Sequence, residues 1–471
     1  MIDNIFKFLN SVNGVLWNYI LLVGLIGLGL YLTIILKFPQ FTRVFPQLKA
    51  MLKDIKSGKT VEKGKMTPFQ ALATAVAAQV GTGNIVGVAT AIAEGGPGAA
   101  FWMMLSAFLG MSTIFSEAVL SQKYREVKNG ELVGGPAYYI KNGLKSKFFS
   151  KVFAVLCILA LGIVGLMVQS NSVVTSLSAS FGFDQTIITI GLIAVVGMIL
   201  TGGMDRIAAF SEKVVPFMAG LYILGSLIII IIFRNSFVEA IRMIFVGAFT
   251  PKAIGGGILG ITVQETIKFG LSRGLFSNEA GMGSTPHSHA VAHTNHPCEQ
   301  GFTAMIGVFI STFMICLSTV LINLVSGSYN ASIPAQVMAK DATIMTQSAF
   351  FNAFGKFGEG FLSIALSCFS LTTIVGWYFF AESNVKLLSG DKNMVIGSFR
   401  FVALAFLFVG TLIDPERVWL LADVFMGLMA LPNIISLFLL SKETKTMLKE
   451  YDSMKKENNI HYEYKYENIN N

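Results

Sequence analysis

Long apolar runs, each near the roughly 20 residues that cross a bilayer as a helix, alternate along this chain with shorter polar stretches. The first runs from about residue 15 to 36. Ten more are predicted at 68–93, 99–122, 150–178, 186–202, 211–233, 256–293, 300–325, 358–385, 395–412 and 417–440. The pattern predicts an all-α polytopic membrane protein with about 11 transmembrane helices. The first run is too long for a signal-peptide core and no small-residue cleavage site follows it, so it is expected to remain as a helix. Stretches 234–255 and 326–357 contain amphipathic segments and are expected to lie across the outer face. The chain after Ser441 is polar and charged and is expected to be loosely ordered.

Two of the apolar runs are interrupted. Gln79-Val80-Gly81-Thr82-Gly83-Asn84 breaks one, and Arg273-Gly274-Leu275-Phe276-Ser277-Asn278-Glu279-Ala280-Gly281 breaks the other. Lipid offers no partner to a bare peptide group, so a broken helix at that depth must line a protein-walled cavity. Two such breaks in separate halves of one chain point to a transporter binding site. Setting the first run aside leaves ten, which divide into five plus five, each five opening on an interrupted helix. An odd number of spans per repeat forces the two repeats into opposite orientations. The expected organisation is therefore 1–67 as an extracellular N-terminus, an extra helix and a basic cytoplasmic loop, then 68–233 as the first five-helix repeat. A connector at 234–255, a second repeat at 256–440 and a cytoplasmic tail at 441–471 complete it.

Composition supports the membrane reading. Of 471 residues, 53% are hydrophobic and only 13% charged, against about a quarter charged in soluble chains. The net charge of +8 does not point to nucleic acid, because the bases sit in alternate loops. Lys and Arg concentrate at 37–65, at 123–151, at Arg206 and Lys213, at 386–400 and in the tail. The opposite side holds Lys7, Arg234, Arg242, Lys252, Lys340, Lys356 and Arg417. The positive-inside bias then predicts a cell-membrane protein with its N-terminus outside and its C-terminus in the cytoplasm. The four cysteines, Cys157, Cys298, Cys316 and Cys368, have no ligand spacing and read as packing residues.

At the first break, unwinding frees N–H groups at the start of the outer half-helix, which attract a carboxylate. It also frees carbonyls suited to Na⁺ or an ammonium group. Thr82 adds a hydroxyl and Asn84 an amide oxygen. At the second break, Arg273 and Glu279 are ionisable at membrane depth and read as a gating or structural ion pair. Their separation of six would keep them apart on an unbroken helix. Phe276 can shape a pocket wall, and Ser277 and Asn278 offer oxygens. Elsewhere, Gln169 and Asn171 suit inter-helix hydrogen bonds, and Thr372 and Thr373 suit a sodium ion or their own backbone. Glu117 and Glu382 are expected to be solvated near the cytoplasmic ends.

Four of the five histidines cluster at His287, His289, His293 and His296. No carboxylate or cysteine completes a metal set, so solvated or pH-responsive imidazoles are expected and no transition metal. Gly58-Lys59-Thr60 lacks the leading glycine of a phosphate loop, and Gly81-x-Gly83 has no βαβ context. With no ATP site and no cofactor predicted, transport must run on an ion gradient.

On Gly81 to Ile85, Gly95 to Gly98 and Arg273 to Gly281 the chain closely resembles the alanine/glycine:cation symporter family, part of the amino acid-polyamine-organocation superfamily. Gly134-Gly135-Pro136, Gln169 and Gly376-Trp377 add to the likeness, which covers residues 68–440. The resemblance implies a leucine-transporter-type fold, a 5+5 inverted repeat here preceded by one extra N-terminal helix. It implies Na⁺ as coupling ion and a small neutral amino acid, alanine or glycine, as substrate. By that likeness Thr82, Gly83, Gln169, Phe276, Asn278 and Trp377 bind substrate. Ala77, Val80, Thr372 and Thr373 bind sodium, with Asn84 at a second cation position or bracing the substrate site. Gln79, Glu94, His287 and His289 depart from the family's usual residues. A carrier for another amino acid such as glutamine, or one driven by H⁺, stays open, as do an amino-acid-gated channel and a sensor. No nucleophile–base pair supports an enzyme.

Overall fold

The computed structural model describes residues 2–56, 65–128, 130–250, 262–330, 333, 338, 342–390 and 392–457. Lys59, Lys63, Lys252, Lys340, Lys465 and parts of the predicted connectors and tail lie outside the described residues. Among the described residues the regular structure is helical apart from one short antiparallel hairpin, β1 (Glu126–Lys128) and β2 (Glu131–Val133), and a single bridge between Met66 and Ala292.

The chain opens with α1 (Ile2–Val15, a π turn at Leu16–Ile20, then Leu21–Ile35) and turns into two short helices, α2 (Pro39–Thr42) and α3 (Val44–Lys56). The first broken helix follows as α4 (Pro68–Gln79) and α5 (Gly83–Gly95). Then come α6 (Ala99–Lys123), α7 (Pro136–Asn142), α8 (Lys147–Phe181), α9 (Gln185–Leu200), α10 (Gly203–Ile232) and α11 (Phe237–Phe249). The second broken helix is α12 (Val263–Asn278) and the five-residue α13 (Pro286–Ala290). The chain continues through α14 (Pro297–Val325), α15 (Ala342–Phe354), α16 (Lys356–Ser389), α17 (Asn393–Thr411), α18 (Pro415–Leu439) and α19 (Ser441–Lys456).

Among the described residues, eight helices are long and apolar enough to cross a membrane, and nine if the bent pair α4–α5 counts as one span. The predicted eleven also include α9 and α12, which are shorter. Many side chains on α8 to α10 and α17 are large, apolar and exposed, including Ile187, Phe217, Ile231 and Phe401. That is the outward pattern of helices facing lipid rather than water. The predicted loose tail is instead helical in its first part. Thr444, Met447, Leu448 and Tyr451 form one buried stripe on α19, which packs on α6 and α14. Lys123 Nζ and Glu443 Oε2 join across that contact at 2.8 Å.

The broken pair sits at the centre. α4 packs against α10, α14 and α16, while α12 packs along α5 and α6. Local chemistry starts both broken helices cleanly. Thr67 and Gln70 form a capping box ahead of Pro68, and Thr262 and Glu265 form another ahead of Val263, each satisfying N–H groups with no partner inside the helix.

Candidate functional site

The first break is sharp. Val80 leaves the helical region at φ −109°, ψ 86°, and α4 and α5 meet at a 55° bend. Glycine is required at the bend for space. A Cβ on Gly81 would lie 2.5 Å from Thr373 Oγ1, and one on Gly83 would lie 2.7 Å from the Phe276 ring. The second break is a longer unwinding. Glu279, Gly281 and Gly283 all take positive φ (58°, 87° and 83°), so the chain between Asn278 and Pro286 cannot continue as a helix.

The two breaks touch. Gln79 Nε2 donates to the Asn278 carbonyl at 2.7 Å, and Asn84 Nδ2 donates to Ser277 Oγ at 2.7 Å. Asn84 Oδ1 also accepts the Gly81 N–H at 3.0 Å. Its amide therefore braces the bend and ties it to α12. Gln169 Oε1 accepts the Thr82 N–H at 3.3 Å from α8. Three polar atoms in this buried centre have no hydrogen-bond partner: Thr82 Oγ1, Gln79 Oε1 and Asn278 Nδ2. Orphaned groups of this kind are costly in a sealed interior and mark a place built for a polar ligand.

Aromatic rings close the space. Trp377 packs edge-on to Phe276 with centroids 6.3 Å apart, and Phe276 lies 5.0 Å from Trp419. Trp377 Nε1 donates to Glu279 Oε1 at 2.6 Å, and Ser284 Oγ donates to Glu279 Oε2 at 2.5 Å.

Beside this centre lies a knot of oxygens. Thr373 Oγ1 is 2.9 Å from the Ala77 carbonyl, 3.3 Å from Val80, 3.4 Å from Ala78 and 3.0 Å from Phe369. One hydroxyl proton can serve only one of these four acceptors. An oxygen-rich cluster short of donors suits a hard cation. Thr372 does not join it. Neighbouring residues on a helix point about 100° apart, and its hydroxyl donates to Phe369 and sits 3.6 Å from Met218 Sδ.

Several expectations need correction. Arg273 and Glu279 do not pair with each other, because the unwinding at Glu279 turns its side chain towards Trp377. Arg273 instead binds Asp423 Oδ1 of α18 at 2.9 Å and stacks 5.4 Å from the Trp419 ring. Glu117 is not solvated: it is fully buried. It accepts the Gly281 N–H at 3.1 Å, the Gly283 N–H at 3.0 Å and Asn433 Nδ2 at 2.5 Å. Glu382 is 8% exposed and pairs with Lys386 at 3.1 Å. His287, His289 and His296 are buried rather than solvated. His287 meets the Ser284 carbonyl and Asn384, His289 meets Gln300, and His296 accepts the Cys298 N–H. Asn171 does bridge helices, donating to the Gly410 and Ile413 carbonyls. Asp423, Trp419 and Asn433 were missed. The signal for Asp423 and Asn433 was present as lone polar residues in an apolar run.

The Arg273–Asp423 pair is largely buried, each side chain 13% exposed. Breaking such a pair strands a charge and costs about 3 kcal/mol. Arg273→Gln should lower the thermal midpoint of the detergent-solubilised protein, and adding Asp423→Asn should recover part of the loss. Equal midpoints for the single and double variants would show that the pair does not hold this region.

The sequence profile of the sodium:alanine symporter family matches residues 2–465. The amino-acid carrier protein AlsT of Bacillus subtilis is 38% identical, covering 95% of this chain and 92% of its own length. A second Bacillus subtilis protein, named "probable sodium/glutamine symporter GlnT", is 38% identical over 94% of this chain and 90% of its own. The sodium/alanine symporter AgcS of Methanococcus maripaludis is 37% identical over 95% and 97%.

Proposed function

This chain belongs to the sodium:alanine symporter family, and from that premise we propose that it carries alanine or glycine into the cell together with Na⁺. The family makes it a multi-pass membrane protein that moves an amino acid with a coupling ion. Within the proposal, the eleven-span topology counts α9 and the α12–α13 unit as spans. Repeats at 68–233 and 256–440 are inverted, the N-terminus faces outside, and the basic loops and C-terminus face the cytoplasm.

The observation that carries the proposal is the donor-poor oxygen cluster at Thr373, Ala77 and Val80, set against two helix breaks that brace each other. In this reading those three groups hold Na⁺. The substrate carboxylate takes the N–H and hydroxyl groups at Thr82 and Gly83, where the α5 N-terminus favours an anion. Gln169 and Asn278 complete the polar contacts. Phe276 and Trp377, packed edge to face, crowd the remainder of the substrate and so favour a small side chain. Asn84 acts as the brace rather than as a cation ligand, and Thr372 packs beside the ion rather than on it. Arg273 and Asp423 close the site on the side of the α12 N-terminus.

The driving force is adequate. One Na⁺ entering down a potential of 100 mV, inside negative, gains about 2.3 kcal/mol, and a tenfold gradient adds about 1.4 kcal/mol. Together they sustain accumulation of roughly several hundredfold.

Proteoliposomes test the proposal. Labelled alanine should enter only under an inward Na⁺ gradient, with Li⁺ and pH gradients as comparisons. Uptake that ignores Na⁺ would end the coupling claim. Thr373→Val, which keeps the shape and removes the hydroxyl, should raise the half-saturating Na⁺ concentration by about tenfold or more, one lost ligand being worth about 1.4 kcal/mol. An unchanged Na⁺ response would remove Thr373 from the ion site. A second reading, glutamine as substrate, is favoured by the likeness to GlnT. Competition of labelled alanine uptake by unlabelled glutamine separates the two.

A further inference from the structure

The turn out of α1 is strained. Lys37 and Phe38 both take the left-handed conformation (φ 60° and 54°), which successive residues with side chains rarely adopt. The turn is nevertheless firmly held. Lys37 N donates to the Ile34 carbonyl at 3.1 Å and Phe38 N to Thr33 at 2.9 Å, the paired bonds that close a helix end, here with lysine where glycine is usual. Gln40, only 6% exposed, places its Nε2 within 3.0 Å of Thr33 Oγ1, Ser112 Oγ and the Phe108 carbonyl. The arrangement swings the chain off the α1 axis at the end of a span and starts α2 and α3 there.

α3 has three sides. Val44 and Met51 are buried, and Gln47 Nε2 donates to Thr303 Oγ1 of α14 at 3.1 Å. Arg43, just before the helix, pairs with Asp452 of α19 at 2.6 Å. A second side carries exposed apolar groups: Phe45 is 68% and Leu52 50% exposed, and Phe41 on α2 is 69% exposed. At 100° per residue, Phe45 and Leu52 fall within about 20° of each other. Lys49 and Lys53, both exposed, follow in the next sector round the helix. Water alone suits the lysines but not the phenylalanines. An interface of acyl chain and phosphate suits both, since an amphipathic helix buries its apolar strip and sets its ammonium groups at the headgroups.

We propose that α2 and α3 lie in the interfacial layer of one leaflet, with Phe41, Phe45 and Leu52 among the acyl chains and Lys49 and Lys53 on the phosphates of anionic phospholipids. The position at the end of α1, the adjacent apolar and basic strips, and the charge match select a lipid surface over a protein partner. The helix rests on α14, which packs against α4, so lipid held here supports the first half-helix of the transport site from outside.

Spin labels on Phe45→Cys and Ala50→Cys, in vesicles of phosphatidylcholine and phosphatidylglycerol, test the insertion. The label at 45 should relax with oxygen and the label at 50 with a water-soluble nickel chelate. A nickel-accessible label at 45 would overturn the insertion, and one immobilised and reached by neither reagent would show a protein contact instead and overturn it equally. Native mass spectrometry tests the headgroup role with phosphatidylglycerol titrated against the detergent-solubilised protein. Lys49→Gln and Lys53→Gln should each weaken binding about fivefold. Unchanged affinity in the double variant, with the fold intact by thermal midpoint, would remove the lysines from the lipid site.

Discussion

Glu117→Ala should be among the most destabilising single changes this protein can carry. Its carboxylate is the common acceptor for the Gly281 and Gly283 N–H groups and for Asn433 Nδ2. The same asparagine donates to the Gly281 carbonyl at 2.9 Å and accepts from the Tyr139 hydroxyl. The unwound segment after α12 is thus pinned to α6 and α18 through one side chain. Removing it leaves two buried backbone N–H groups without an acceptor, each costing about 1–3 kcal/mol, and takes from Asn433 Nδ2 one of its two acceptors. We expect a fall of roughly 5–10 °C in the midpoint of the solubilised protein, together with loss of uptake. Glu117→Gln retains an oxygen but turns an N–H towards other N–H groups, so it should fall between the two. A midpoint for Glu117→Ala equal to that of the parent would show that the second break is held by something else.

Gly81→Ala should abolish uptake while leaving the fold standing. The new methyl would meet Thr373 Oγ1 at 2.5 Å and Gln169 Oε1 at 3.2 Å. Thr373 is β-branched and cannot swing its hydroxyl aside at little cost. The methyl therefore displaces either the oxygen cluster or the bend itself, and a shift of about 1 Å at a site of this kind costs roughly a hundredfold in rate. Overpacking of one methyl costs about 1–3 kcal/mol, which a well-packed helical protein survives. Gly191→Ala is the control, since nothing lies within 4 Å of a Cβ there. Initial rates of Na⁺-driven alanine uptake at equal protein incorporation give the comparison. Parental rates in Gly81→Ala would mean that this bend is not the site.

The site was partly legible because breaks and polar residues are expensive in a bilayer. Gly81, Thr82 and Asn84 stood out where a helix should have run on, and the structure does join the two breaks, through Asn84 to Ser277 and Gln79 to Asn278. Gln169 read as an isolated polar residue and proves to hold the Thr82 N–H. Pairings were not legible. Arg273 and Glu279 sit six residues apart, yet Arg273 binds Asp423, 150 residues away, and Glu279 binds Trp377, 98 residues away, as well as the nearby Ser284. The histidines read as solvated because the sequence after the second break is polar. His287 and His289 are buried instead, since β2 and α6 pack over α13, while His293 beyond it stays exposed.

By itself, the sequence determined what local physics can determine. Apolar length fixed the helical membrane class, glycine and polar clusters fixed where two helices must break, and the motifs at Gly81 and Arg273 fixed the family. Tertiary structure decided which side chains share a buried space. Hydrogen bonds and ion pairs within that space depend on how helices distant in sequence pack, and no spacing along one helix encodes the position of another. Glu117 therefore read as a solvated residue near a helix end, Asp423 and Asn433 passed unmarked in their apolar run, and the role of all three as anchors of the broken helices came only from the packing.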